Sequence, residues 1–470
     1  MKKKPVLVVI GAASITFTPK LLRDIIHHPA LGGGTLRLVD IQADNLEVMA
    51  RIAKKISDTL SEPWKVESFT DRKRALPGAD YVLISVDVAR NETWGKDWKI
   101  PADLGVRQVT GELGGPGGLF HSLRQIPLHI EMGRDIAQLA PDATVMIESN
   151  PLNRICLAMR RHTKVKQILG LCHGVEITQA HLGRVLRPKV QENLTPGDKV
   201  PWSKVKTGAL GLKAEEILAT AAGTNHFTWI LDLRLLENGE DLYPLLRERL
   251  KNFDPTFWPL SRKLFDVYGF FPSCGDEHIG EYLPYTWELV GMEGPGTENR
   301  EAGAERLWQY LRDQAKKEGP LERYEALKGG GYEEEQTQFF FEPRSWVDTL
   351  AFPIMDSIYT NKLRRMAAVN MVNNGAIANL PADVFVECPA SVDSSGCRLI
   401  SIGVLPRPLA AFCRRDIDLA EMTVEAAVSG SKKVILQAML LDPVIDSITV
   451  AEKVLDAMLK ANAAYLPQFS

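Results

Sequence analysis

The sequence predicts an α/β protein with a parallel sheet in its N-terminal part and a second, α+β domain after it. Three observations carry this. Short apolar, β-branched runs recur at 6–10, 36–40, 79–86, 143–147 and 167–169, with helical stretches between them, as in a chain of βαβ units. Each run ends in a small or polar residue suited to a loop: Gly11, Asp40, Asp87, Asn150-Pro151 and Gly170. The length of 470 residues exceeds what one hydrophobic core supports, so the chain divides. Thr195-Pro196-Gly197-Asp198 and Pro201 mark the expected boundary. It separates residues 1–198 from residues 199–470.

Bulk properties narrow the function. The net charge of −3 provides no general attraction to nucleic acid or membrane. The basic start Met1-Lys2-Lys3-Lys4 precedes an apolar run too short for a signal peptide, and no run reaches the ~20 apolar residues of a membrane span. Six cysteines are scattered without a CxxC pair, which points to reduced thiols and a cytoplasmic protein.

The first run leads into Gly11-Ala12-Ala13-Ser14-Ile15-Thr16, and residues 19–27 read as an amphipathic helix. The next run, Leu36-Arg37-Leu38-Val39-Asp40, ends in an acid. This strand–turn–helix–strand–acid order is that of a Rossmann-type dinucleotide site, although the turn is not GxGxxG. Gly11, Ala13, Ser14 and Ile15 would let backbone N–H groups approach a pyrophosphate. Asp40 would accept the ribose hydroxyls, and its charge disfavours a 2′-phosphate, so NAD is expected rather than NADP. The run at 79–86 ends at Asp87, where such a domain passes under the cofactor, with Arg90 just beyond.

Then comes Glu112-Leu113-Gly114-Gly115-Pro116-Gly117-Gly118. A loop so rich in glycine loses much entropy on ordering, which implies close approach to something. Glu112 is a candidate substrate contact. A helix is expected over 121–140, interrupted or restarted at Pro127.

The two loops between Glu148 and Gly174 place Asn150, Asn153, Cys172 and His173 at strand ends, where one cleft could hold them all. Two ordinary turns with an inert buried thiol fit the same residues. In the second part, Asn225-His226 interrupts an apolar surround. A core histidine is the plain interpretation, and a metal site with Cys172 is the chemical one, since imidazole and thiolate suit borderline divalent metals. Residues 271–285 collect Cys274, Asp276, Glu277, His278, Glu281, Tyr282 and Tyr285, a menu for acid/base work. Asp276 also reads as the N-cap of a helix. Gly329-Gly330-Gly331 and Glu333-Glu334-Glu335 read as exposed loop and charge run, and 367–374 and 419–441 as helices.

In this order the motifs resemble glycoside hydrolase family 4. The resemblance rests on the 11–19 turn, the 114–118 glycines with Arg124-Gln125-Ile126-Pro127, Asn150-Pro151, Gly170-Leu171-Cys172-His173 and Asn225-His226. It implies a second domain like the C-terminal domain of lactate and malate dehydrogenases, a homodimer or homotetramer, and two cofactors, NAD and a divalent metal, Mn2+ in the typical case. Members with NAD stand outside the usual two-carboxylate scheme. The implied chemistry is oxidation of the sugar at C3, removal of the C2 proton, elimination of the C1 substituent, addition of water and return of the hydride. The resemblance makes Cys172 and His226 the metal ligands, Asn150 a cofactor-side group and Asn153 a substrate contact. It makes His173 the general acid and Asp276, then Tyr282, the base. A Cys-His-Gly run resembles members acting on non-phosphorylated α-glycosides, of α-glucosidase or α-glucuronidase type. An α-galactosidase, an α-galacturonidase or a 6-phospho-glycosidase of the same family is the alternative. A lactate/malate-type dehydrogenase would use His226 but has no use for Cys172.

Overall fold

The structure is a computed structural model and describes residues 3–24, 28–187, 211–292, 294, 297–322 and 349–469. The expected linker at 195–201 and the runs at 329–331 and 333–335 lie outside the described residues, as do 25–27 at the end of the first expected helix.

Six parallel strands form the N-terminal sheet: β1 (Val6–Ile10), β2 (Thr35–Val39), β3 (Lys65–Phe69), β4 (Tyr81–Ile84), β5 (Thr144–Ile147) and β6 (Gln167–Gly170). Their spatial order, β3-β2-β1-β4-β5-β6, reverses direction between β1 and β4, the point where such sheets bind ligands beyond their carboxyl ends. All four residues of β4 and of β5 are buried, because helices cover both faces; that is why these strands read as continuous apolar runs rather than alternations. β3 escapes a hydrophobicity search, since Lys-Val-Glu-Ser-Phe is a polar edge strand.

The sheet does not stop at β6. The remaining strands are β7 (Ile217–Thr224), β8 (Phe227–Leu235), β9 (Phe271–Pro272), β10 (Arg364–Val372), β11 (Phe385–Asp393) and β12 (Gly396–Leu399). They continue the same sheet in the order β6-β10-β11-β7-β8-β9, with β12 on β11. The junction is antiparallel and pairs Asn370 with Gly170. The helix Arg407–Ser429 packs on Gly115–Leu139 and Leu152–His162, so the C-terminal half completes the covering of the N-terminal sheet. Among the described residues no helix is long and apolar enough to cross a membrane, and all six cysteines are free thiols.

Four expectations are corrected. The stretch 367–374 is not helical but the end of β10 and the turn after it; pairing on both sides, with β6 and β11, overrides the helix preference of its Ala and Met residues. The stretch 419–441 belongs to two helices, Arg407–Ser429 and Lys432–Leu441, separated by Gly430 at φ +69°. The helix expected from 121 begins at Gly115 and runs to Leu139 straight through Pro127, whose ring is on the exposed side. The glycine run is therefore a helix start and not a loop. The close approach is to the chain itself: a Cβ on Gly114 would lie 2.1 Å from the Glu281 carbonyl oxygen, and one on Gly118 2.2 Å from the Leu113 carbonyl carbon. Asp276, lastly, opens a short helix whose N-cap is Gly275; it caps a different helix, as described below.

Candidate active site

Two loop ends from opposite halves of the sheet build the centre of the site. β6 runs out at Gly170, and Cys172 follows just before the helix Gly174–Leu186. His226 sits in the tight turn joining β7 to β8, at φ +61°. The continuous sheet brings these ends together: Cys172 Sγ lies 3.0 Å from His226 Nε2. A hydrogen bond from Cys274, the charge of His226 and the Gly174 N–H hold the Cys172 thiol well below its ordinary range, against burial. Burial works against a charged His226, but the Cys172 sulfur outweighs it and raises the imidazole to about 9. His226 Nδ1 is buried without a hydrogen-bond partner among the described residues.

A buried carboxylate fixes this pair from behind. Glu387 on β11 is 0% exposed and accepts hydrogen bonds from Asn225 Nδ2 (3.2 Å), Asn370 Nδ2 (3.0 Å) and Thr228 Oγ1 (2.5 Å). Asn370 also donates to the Gly170 carbonyl at 3.4 Å. One acid thus ties the His226 turn to the strand that delivers Cys172. Burial pushes Glu387 to about 7.

The second layer carries Glu112. Arg90 Nη2 meets Glu112 Oε1 at 2.8 Å and Arg90 Nη1 meets Asp87 Oδ2 at 3.0 Å. Burial alone would raise Glu112, yet Arg90, with His278 and His121, holds it far below the usual carboxylate range. Asp87 is likewise held low, by His121 and Arg90 against burial, and accepts from Gln125. Asn150 Nδ2 donates to Glu112 Oε1 at 3.2 Å, which joins Asn150 to the candidate substrate contact. The His278 ring stacks on His226 at 4.5 Å, and Glu112, His278 and Glu281 bring ligand atoms within 4.8 Å of one another. Glu281 receives the backbone N–H groups of Glu112, Leu113 and Gly114 together with the Thr110 hydroxyl.

At the nucleotide end, the N–H groups of Gly11 and Ala12 both donate to the Val39 carbonyl, at 2.9 and 3.0 Å. Ala13 N–H donates to Asp40 Oδ2 at 2.9 Å, and Ser14 Oγ accepts from Phe17 N–H at 3.3 Å. Gly11 has φ +93°, and a Cβ there would lie 2.0 Å from the Ser85 carbonyl oxygen. Gly11, Ala13, Ser14, Ile15 and Asp40 are therefore gathered at one edge of β1 and β2.

Some expected residues lie differently. Asp276 accepts from Leu260 N–H, Ser261 N–H and Ser261 Oγ at 2.8, 2.8 and 2.6 Å, so both its oxygens are occupied at the start of the helix Pro259–Tyr268. Tyr282 donates its hydroxyl to the Asn225 carbonyl at 3.1 Å, one residue from His226, and stacks on Phe227. Burial raises its hydroxyl well above the ordinary range. Asn153 bonds to the buried Asp416. His173 stands at the N-cap of the helix after Cys172. Glu387 had no sequence signal; the clue to its position was only a lone acid in the apolar run of β11.

The family model described as "Family 4 glycosyl hydrolase" matches residues 6–187, and its C-terminal domain model matches 221–445. An α-glucosidase of Erwinia rhapontici is 29% identical over 98% of both chains, and an α-galactosidase of Rhizobium meliloti (strain 1021) is 29% identical over 99% of this chain and 89% of its own. A 6-phospho-α-glucosidase from gut microorganisms, solved with NAD and Mn2+, superposes with TM-score 0.77 over 100% of both chains at 21% identity. The fold is also shared with a lactate dehydrogenase: one from a Medee basin deep-sea metagenome library superposes with TM-score 0.52 over 91% of this chain and all of its own, at 12% identity. With family models matching along both halves of a sheet that joins Cys172 to His226, the chain belongs to glycosyl hydrolase family 4.

Proposed function

We propose that the chain hydrolyses non-phosphorylated α-glycosides, of α-glucosidase or α-glucuronidase type, with NAD and a divalent metal such as Mn2+. The observation that carries this is the Cys172–His226 pair, 3.0 Å apart, at the carboxyl edge of a sheet with dinucleotide-binding strand order. A dehydrogenase needs no such pair.

The residues present fit both groups. Thiolate and imidazole are a donor set for a borderline divalent ion, and the Cys172 Sγ and His226 Nε2 donors stand 3.0 Å apart. At the nucleotide edge the Ser85 hydroxyl is also buried without a partner among the described residues, beside the turn that Gly11 keeps free of side chain. When bound, NAD supplies a reversible hydride acceptor and the metal a Lewis acid at adjacent sugar oxygens. Gly11, Ala13, Ser14, Ile15 and Asp40 would hold the dinucleotide, with Asp87 and Asn150 toward its reactive end; Cys172 and His226 would hold the ion. Glu112, kept ionised by Arg90, accepts sugar hydroxyls, and Asn153 orients the ring. His173, next to Cys172, donates the proton to the departing oxygen. Of the two base candidates we favour Tyr282, whose hydroxyl bonds the carbonyl of Asn225 beside His226, over Asp276, whose oxygens cap a helix. Arg90 is already paired by Asp87 and Glu112, so it has no spare charge for a phosphate or a C6 carboxylate. Arg90 is thus not the cation a glucuronide would need, and the neutral α-glucoside is the first substrate to test.

The test is a panel of nitrophenyl α- and β-glycosides, glucuronides and 6-phosphoglycosides, with and without NAD and Mn2+. Turnover is expected with a neutral α-glycoside and only with both present. Equal turnover of the best substrate after both are removed would show the proposal to be wrong.

A further inference from the structure

We propose that Cys274 is a third protein ligand of the divalent-metal site, beside Cys172 and His226. The proposal rests on the metal-dependent reading above and extends it to a residue outside the Cys172–His226 pair. Cys172 Sγ, His226 Nε2 and Cys274 Sγ all lie within 4.8 Å of one another; tetrahedral ligands at about 2.0–2.3 Å from an ion stand about 3.3–3.8 Å apart, so small side-chain shifts bring all three onto one ion.

The backbone is built around that sulfur. Gly174 opens the helix after Cys172, and a Cβ there would lie 1.7 Å from Cys274 Sγ and 3.5 Å from Cys172 Sγ. The Cys274 sulfur therefore occupies the space a side chain at Gly174 would need, with the Cys172 sulfur in contact beside it. Thr178, 0% exposed, joins the two segments: its hydroxyl donates to the Gly174 carbonyl at 2.8 Å and accepts from Cys274 N–H at 2.9 Å. On the other side, Ser273 N–H donates to the Thr228 carbonyl at 2.8 Å, and β9 pairs with Trp229 and Ile230 of β8. Cys274 is thus registered both to the helix after Cys172 and to the strand after His226. It holds φ +77°, and His226 φ +61°. A non-glycine residue in that region costs about 1–3 kcal/mol and persists where the surroundings demand it; here two of three donors do so. A buried thiol filling space would need neither the strain nor the facing glycine. A second sulfur also softens the donor set and moves its preference from Mn2+ toward Fe2+, Co2+ and Zn2+.

The experiment loads the reduced full-length protein with Co2+ alone and follows the near-ultraviolet sulfur-to-cobalt absorption, with affinities from competition against a chelator. Cys274→Ser keeps the volume and Cys274→Ala removes the donor. Both are expected to lower the absorption per cobalt about twofold and to weaken Co2+ binding at least ~10-fold. NAD affinity and the far-ultraviolet circular dichroism stay at wild-type values, which shows the variants are folded. Cys172→Ser is the control that separates the two ideas. A sulfur band lost in Cys172→Ser but unchanged in Cys274→Ser overturns the third ligand and leaves the metal site standing. No sulfur band in the wild-type protein overturns the metal reading itself.

Discussion

Glu281 is the position where one substitution separates hydrogen bonding from charge. Its carboxylate collects the N–H groups of Glu112, Leu113 and Gly114 and the Thr110 hydroxyl, and so shapes the segment that carries Glu112 toward Asn150. In Glu281→Ala three buried N–H groups lose their acceptor, at about 1–3 kcal/mol each. Relaxation brings the sum toward the lower end, about 3–5 kcal/mol. Glu281→Gln keeps a carbonyl for the three N–H groups and turns its amide toward Thr110, so it should stay within about 1 kcal/mol of wild type at neutral pH. Charge then shows in the pH dependence. Burial, with the Glu112 carboxylate beside it, raises Glu281 to about 8, against 4.5 in an exposed chain. The folded protein holds a proton that the unfolded chain releases between those values. Its contribution to stability is full below the lower value and falls by about 1.4 kcal/mol per pH unit until the upper one is passed. Glu281→Gln lacks this slope. Urea denaturation of the three proteins across that interval measures both effects, and KM and kcat on the best glycoside report the Glu112 segment. The reasoning fails if Glu281→Ala is as stable and active as wild type, or if Glu281→Gln is damaged as much as the alanine variant.

Cys172→Ser should abolish metal-dependent hydrolysis while NAD still binds, as read by NAD titration; full activity would remove Cys172 from the metal site. Tyr282→Phe should lower kcat by ~10²–10⁴-fold and suppress deuterium exchange at the sugar C2, whereas Asp276→Ala should lose about 1–2 kcal/mol of stability as a lost cap does, without that loss of exchange. The opposite assignment follows if Asp276→Asn, and not Tyr282→Phe, stops the exchange. Gly11→Ala should disrupt the nucleotide edge, since its Cβ would meet the Ser85 carbonyl at 2.0 Å with the backbone at φ +93°; unchanged NAD affinity would count against that edge as the cofactor site.

The sequence by itself determined the elements whose chemistry is local. β1, β2, β4, β5 and β6 each announced themselves as apolar runs because both faces are covered. Gly11, Asp40, Asn150 and Cys172 could be placed because strand ends are where such runs must stop. Short-range signals failed where distant partners decide. Arg364–Val372 is a strand only because β6 and β11 flank it, and the helix from Gly115 crosses Pro127 because the Leu123 carbonyl, which the proline leaves without its N–H, accepts from Gln468 Nε2 at 3.1 Å. Asp276 reads from the sequence as a base or a helix cap, and only the tertiary structure shows that its oxygens bond the start of Pro259–Tyr268. Glu387, 161 positions after His226, and Cys274, 102 after Cys172, have no local pattern that ties them to the pair. Their place at the site is a product of sheet order: β10 and β11 lie between β6 and β7, so residues remote along the chain close around the Cys172–His226 pair in space.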